Sequence, residues 1–292
     1  MIWALAGAMS VAAAVAARPV APDRPLGATR YRSVAEAVGV ALASKPVVVA
    51  FGELHQTRAT AGIPSALRRF TEEILPGLVG ELSHLVVETW ITSGRCGEVE
   101  RAVAADVEKT TERPPATENE IETLIRKVDA GGAAPRILSV TCADYEAMRP
   151  RGQAVDYDKT LRITGRALET ATLRALRDPR RPNGGSTVAG VSPDGHSPRP
   201  ALGIYGGALH NDLHPDPDLA PYSFAAGMMA ATLGRYVEID LVVPEYAAAS
   251  ASTRAQDWWR AYERFRRSGA VVMIRRSPRS FVIVFPPHRK AR

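Results

Sequence analysis

Glu53 and His55 stand two residues apart in "GELH" (52–55), Glu88 ends the apolar run of "HLVVET" (84–89), and His210 closes a second Gly-x-x-His, "GALH" (207–210). Carboxylates and imidazoles are side chains that can exchange protons with a substrate. A neutral imidazole serves as a general base near pH 7, and a neighbouring carboxylate orients it and stabilises the imidazolium that forms. His55 with Glu53 or Glu88 fits that role, and His210 fits a second acid or base. The same residue types offer another chemistry. His55, Glu88 and His210 could hold a divalent metal ion with a position left open for water, which the metal would acidify. Spacing alone leaves both open. Each residue also has a plain structural reading: Glu53 and His55 capping a loop and bonding each other, Glu88 facing solvent at a strand end, and Tyr205 buried in the core rather than lining a pocket.

Residues so far apart in the chain need elements that deliver them to one place. "KPVVVAF" (45–51) reads as a strand, and "HLVVETW" (84–90) as a second whose apolar run lacks polar alternation, as buried parallel strands do. Between them "IPSALRRFTEEILPGLVGEL" (63–82) has helical spacing with Ser65 as its cap. "ENEIETLIRKVDAGG" (118–132) is acidic in its first turn and ends in glycines, a helix with the expected polarity. "RILSVTC" (136–142) reads as a third strand and 157–178 as an amphipathic helix. The Pro-, Gly- and Ser-rich stretch 179–200 is a flexible loop or lid. "ALGIYGG" (201–207) is a fourth strand, and "RYVEIDLVV" (235–243) a fifth that alternates as if one face were wet. A basic helix (253–269) and a β-hairpin (271–285) close the chain. The implied fold class is α/β: a mixed, mainly parallel sheet with helices on both faces and a C-terminal hairpin.

In such open sheets ligands bind beyond the carboxyl ends of the parallel strands. Glu53 and His55 follow strand one, Glu88 ends strand two, Asp144 and Tyr145 follow strand three, and His210 follows strand four. Residues two apart on an extended chain share a face, so Glu53 and His55 project together, with Gly52 letting the backbone turn. His84 at a strand start should be exposed. "HNDLHPDPD" (210–218) reads as a polar turn in preference to a separate cation site. Of the adjacent Trp258 and Trp259, one should be core and the other rim.

At 292 residues and 46% hydrophobic the chain can bury a sizeable core as a single domain over 18–292. The net charge of +6 comes from scattered arginines, and only 6% of residues are aromatic, so no nucleic-acid partner is expected. Residues 1–17 are an unbroken apolar stretch, short for a membrane span and ending in small residues, as an export signal does. The expectation is a periplasmic or secreted protein with no stable membrane insertion after cleavage. Cys96 and Cys142 could then pair, or stay as buried thiols.

"GELH", the glutamate of "VVET" (86–89) and "GALH", in that order and each at a strand end, resemble the signature of the superfamily that includes erythromycin esterases, the haem-binding ChaN lipoproteins and the Tiki proteases. The resemblance runs from about residue 45 onward. It implies a pocket of Glu53, His55, Glu88 and His210 on an α/β sheet. In the esterase branch such residues activate water against an ester, and in the Tiki branch they serve metal-dependent peptide cleavage. The ChaN branch holds haem instead, for which His55, His210 and Tyr205 are the candidate contacts here. Gln56 and Thr57 depart from the erythromycin esterase pattern. A hydrolase of a small-molecule or peptide substrate is the first expectation, and a haem- or iron-binding protein without turnover the alternative.

Overall fold

A computed structural model of the chain describes residues 26–178 and 201–288, together with the backbone of Ile2–Trp3. Eight strands form the main sheet: β1 Gly27–Tyr31, β2 Val48–Glu53, β3 Leu82–Val87, β4 Ala134–Ile137, β5 Ala201–Gly207, β6 Tyr236–Val242, β7 Val271–Ser277 and β8 Ser280–Val284. Their order is β1-β7-β8-β6-β2-β5-β3-β4. From β8 to β4 every neighbouring pair is parallel; β7 runs antiparallel to β8, and β1 to β7. A separate two-residue ladder joins Ile2–Trp3 to Trp90–Ile91.

Both faces of the sheet are covered, as a parallel sheet requires. Val49 and Phe51 of β2, Leu85 and Val87 of β3, and Ile239 of β6 point to one face, against Val34–Ala41, the helical run from Ala66 to Leu78 and Ala116–Ala130. Val48, Ala50, Val86 and Ile204 point to the other, against Gly97–Thr111, Cys142–Met148, Tyr157–Arg177 and Ala225–Ala231. A third cluster packs Trp258, Trp259 and Tyr262 on the hairpin strands. Ser65 caps its helix by accepting from Arg68 N–H at 2.8 Å.

Several expectations change. β4 stops at Ile137, and Thr141 caps a helix that begins at Cys142, with Asp144 returning the capping bond to Thr141 N–H at 2.9 Å. Asp144 and Tyr145 therefore follow β4 on this helix and not directly at the strand end. β6 is buried along its whole length because β8 and β2 flank it and helices cover both faces, so Glu238 and Asp240 are interior charges. Trp258 and Trp259 are both buried, and His84 is buried beside Asp178. The basic helix is two short pieces, Ala251–Ala255 and Asp257–Glu263. Strand β1 and the helices Val34–Ala41 and Gly97–Thr111 carried no signal strong enough to assign from sequence. Among the described residues no helix is long and apolar enough to cross a membrane. The expected export signal, apart from the backbone of Ile2–Trp3, and the 179–200 loop lie outside the described residues.

Cys96 and Cys142 form a disulfide with Cα atoms 5.2 Å apart, tying the loop after β3 to the helix after β4. Their sequence separation is 46 residues, which by loop-closure entropy corresponds to about 4 kcal/mol. Replacing both by Ser is expected to lower the unfolding free energy by roughly that amount, read by urea denaturation.

Candidate functional site

The topology brings the chemistry together. β5, far along the chain, inserts between β2 and β3, so Glu53, the Gly207–His210 segment and Glu88 leave three adjacent parallel strands at the same end. Tyr205 packs on one face of the sheet, and strand alternation puts Glu53 with it and Glu88 with the other face, while His55 lies beyond the end of β2. All four sequence-derived residues, Glu53, His55, Glu88 and His210, meet here.

His55 Nδ1 lies 2.6 Å from Glu53 Oε1, and Tyr205 donates its hydroxyl to Glu53 Oε2 at 2.7 Å. Burial alone would raise the Glu53 pKa, but His55, Arg113 and Tyr205 outweigh it and hold the carboxyl below its usual value. Nδ1 of His55 stands between two opposite partners, the Glu53 carboxylate, which can only accept, and Arg113 Nη2 at 2.5 Å, which can only donate; in the tautomer that donates to Glu53, Nε2 keeps its lone pair. Burial, then the Arg113 guanidinium against the same imidazole, push the His55 pKa down to about 4, with Glu53 opposing them. His55 is neutral at pH 7.

Glu88 is the complement. Burial pushes its carboxyl up to about 8, although Gly207 N–H donates to Oε2 at 2.6 Å and Arg113 pulls the other way. Room for this side chain depends on Gly206: a Cβ there would stand 2.5 Å from Glu88 Oε2. His210 Nδ1 faces Tyr222 O at 2.9 Å, and a carbonyl only accepts, so its Nε2 is also a bare lone pair, 3.8 Å from Glu88 Oε1. Burial pushes His210 down to about 4. The loop after Glu88 is held by Glu100, whose carboxylate accepts from the N–H groups of Ser93, Gly94 and Cys96.

Three polar atoms of this cluster, His55 Nε2, Glu88 Oε1 and His210 Nε2, are buried without a hydrogen-bond partner among the described residues. Each such atom costs about 1–3 kcal/mol, and groups left this way point to a role in binding or catalysis. His55 and His210 are near enough that a charge on His210 would disfavour one on His55.

Gly52 acts by close approach and not by turning the chain. It lies within β2, and a Cβ there would meet Asp240 Oδ1 at 2.5 Å and the Ala208 Cα at 2.7 Å. With its amide oriented to satisfy both neighbours, Asn211 accepts from Gly52 N–H at 3.2 Å and donates to Ala208 O at 2.7 Å. The short helix Ala208–Asn211 that bears His210 is thus seated on β2. Gly52→Ala is expected to cost about 1–3 kcal/mol of stability, measured by thermal and urea unfolding, because the obstacles are the Ala208 backbone and two buried side chains.

Sequence reasoning missed Arg113. It sits in the segment 112–115 between two helices, just before Pro114 and Pro115, its side chain 11% exposed, and one arginine among many carries no periodic signal. Tyr205 is core, as expected, and its hydroxyl is also held by the Glu53 carboxylate. The metal set His55, Glu88 and His210 does not fit: among the described residues no three His, Cys, Asp or Glu side chains group closely enough to hold a metal ion. Arg113 already places a cation against His55, which would repel another. The His55 and His210 side chains are only 8% and 2% exposed. Asp212 and His214 lie in the polar turn expected of 210–218, and Arg276 Nη1, from β7, lies 3.0 Å from Asp212 Oδ1.

In comparisons with known proteins, no family model, no curated protein and no solved structure matches this chain.

Proposed function

We propose that this chain is a hydrolase of an ester, amide or peptide bond, working without a metal ion through Glu53, His55, Glu88 and His210. The observation that carries the reading is a pair of opposite proton states at the ends of β2 and β3, on either side of β5: a neutral imidazole whose buried Nε2 has no partner among the described residues, and a carboxyl that keeps its proton to about pH 8. Environments that drive two titratable groups apart in this way divide them into base and acid. His55 Nε2 takes a proton from water as the water oxygen bonds to the carbonyl carbon, and Glu53 stabilises the imidazolium. Glu88 gives its proton to the leaving oxygen or nitrogen as the C–O or C–N bond breaks. The imidazolium proton then returns to Glu88 through solvent, which resets both groups. His210 Nε2, facing Glu88 Oε1, is placed to orient that carboxyl.

The motif resemblance supports the same site, and the Cys96–Cys142 disulfide suits an exported protein. The test is a panel of chromogenic esters, anilides and quenched peptides, run on the wild type and His55→Asn. Turnover is expected on at least one class and to fall by about a hundredfold or more in the variant at unchanged unfolding temperature. Equal rates in the two proteins would end the proposal, as would a Soret band in the purified protein that disappears in His210→Ala.

A further inference from the structure

We propose that the groove between β4 and the helix Tyr157–Arg177 docks an extended acidic peptide segment of another protein as an added strand. β4 ends the sheet, and among the described residues no strand pairs with its outer side. Leu138 donates inward to Thr89 O at 2.8 Å, so alternation along the strand turns the N–H of Ile137 outward. Pro135 shares that outward parity, where its missing N–H breaks no ladder bond. Ile137 and Ser139 line a cavity of about 600 Å³ between strand and helix. Strand edges of this kind take up extended peptides through main-chain hydrogen bonds, and flanking side chains select the sequence.

The opposite wall supplies the selection. Ala167, Ala171 and Ala175, one helical turn apart, make a low floor, and Arg166 and Arg174 stand beside them along the rim. Arg136 faces them from the strand. Asp144 pairs with Arg166 and Asp178 with Arg136, so the third arginine, Arg174, leaves the groove with a net positive charge. Charge also decides between occupants. A second copy carries +6. The chain's own 179–200 brings Arg180, Arg181 and Arg199 against the single Asp194. No aromatic side chain lines the groove, which denies nucleic-acid bases a stacking platform. An acidic segment is the complement that remains.

The experiment is fluorescence anisotropy on the full chain with a fluorescein-labelled octapeptide alternating Glu and Val. Saturable binding is expected, weakened about tenfold or more by Arg166→Glu with Arg174→Glu, both exposed positions outside the strand-end cluster. N-methylation of alternate peptide residues, made in both registers, is expected to abolish binding in one register only, a readout that needs no protein variant. The proposal is overturned if the matching Lys–Val peptide binds as well, or if neither the charge reversal nor N-methylation weakens binding. Tighter binding of a short oligothymidylate would overturn it in favour of nucleic acid. A dimer in sedimentation velocity that Arg174→Glu dissolves would overturn it in favour of a second copy.

Discussion

Glu88→Gln is expected to cut turnover by about a hundredfold to ten-thousandfold, the usual contribution of a general acid, while the fold persists. Gln keeps an oxygen to accept from Gly207 N–H and nearly the same volume above Gly206, so the strand end is preserved. The wild-type pH profile carries the same assignment. Activity needs His55 unprotonated and Glu88 protonated, which holds between about 4 and about 8. The rate should fall below that window as His55 gains a proton and above it as Glu88 loses one. In Glu88→Gln the alkaline limb is expected to vanish from the residual rate, since amides do not titrate there. Stability gives an independent readout with its own sign. The folded state holds the Glu88 proton from its ordinary pKa of 4.5 up to about 8, whereas the unfolded chain releases it, so this group lowers stability as pH rises through that interval. Glu88→Gln should therefore gain stability over wild type at alkaline pH and little at pH 4. His55 and His210 act oppositely: with folded values near 4 against an ordinary 6.5, they lower stability as pH falls through that range.

Arg276→Met is expected to destabilise the protein by about 3–5 kcal/mol at pH 8, the cost of stranding buried charge. Arg276 Nη1 lies 3.0 Å from Asp212 Oδ1 and 3.6 Å from Glu238 Oε1, with its side chain only 11% exposed. Glu238 and Asp240 occupy one face of β6, two residues apart, and burial pushes Asp240 up to about 7 and Glu238 well above its usual value. Their raised values mean that the folded state keeps protons the unfolded chain has given up, so stability falls as pH rises toward and past neutrality. Without the arginine that fall should steepen. Urea denaturation at pH 5 and pH 8 measures it: the loss in Arg276→Met should be smaller at pH 5, where the carboxyls are neutral, and an equal loss at both would place the effect in packing. Because Asp240 touches Gly52 and Asn211, the same variant is expected to shift the seat of His210 and lower turnover.

Much of this molecule was legible before any coordinates. Five of the sheet's strands and its hairpin follow from apolar runs bounded by turn residues, and the helices 63–82, 118–132 and 157–178 from period and caps, because these patterns are local. The four site residues were legible for the same reason: each is a polar group placed where a buried strand must end. Arg113 was not, since it reaches the site from an interhelical loop whose path no local pattern encodes. The alternation of "RYVEID" suggested a wet face because periodicity reports polarity, and only the flanking strands make that face interior. Asp144 was misplaced when a short strand gave way to a capped helix, a competition settled by the bonds between Thr141 and Asp144.

By itself the amino-acid order determined which segments become strands and helices and which carboxylates and imidazoles stand at their ends, since backbone propensity and hydrophobic period act over a few residues. Tertiary structure alone decided that β5 lies between β2 and β3, that Cys96 meets Cys142, and that one imidazole is held neutral while a carboxyl near it is held protonated. Strand order and proton affinity both depend on neighbours distant in the chain, through packing, desolvation and charge, and these exist only once the sheet has closed around them.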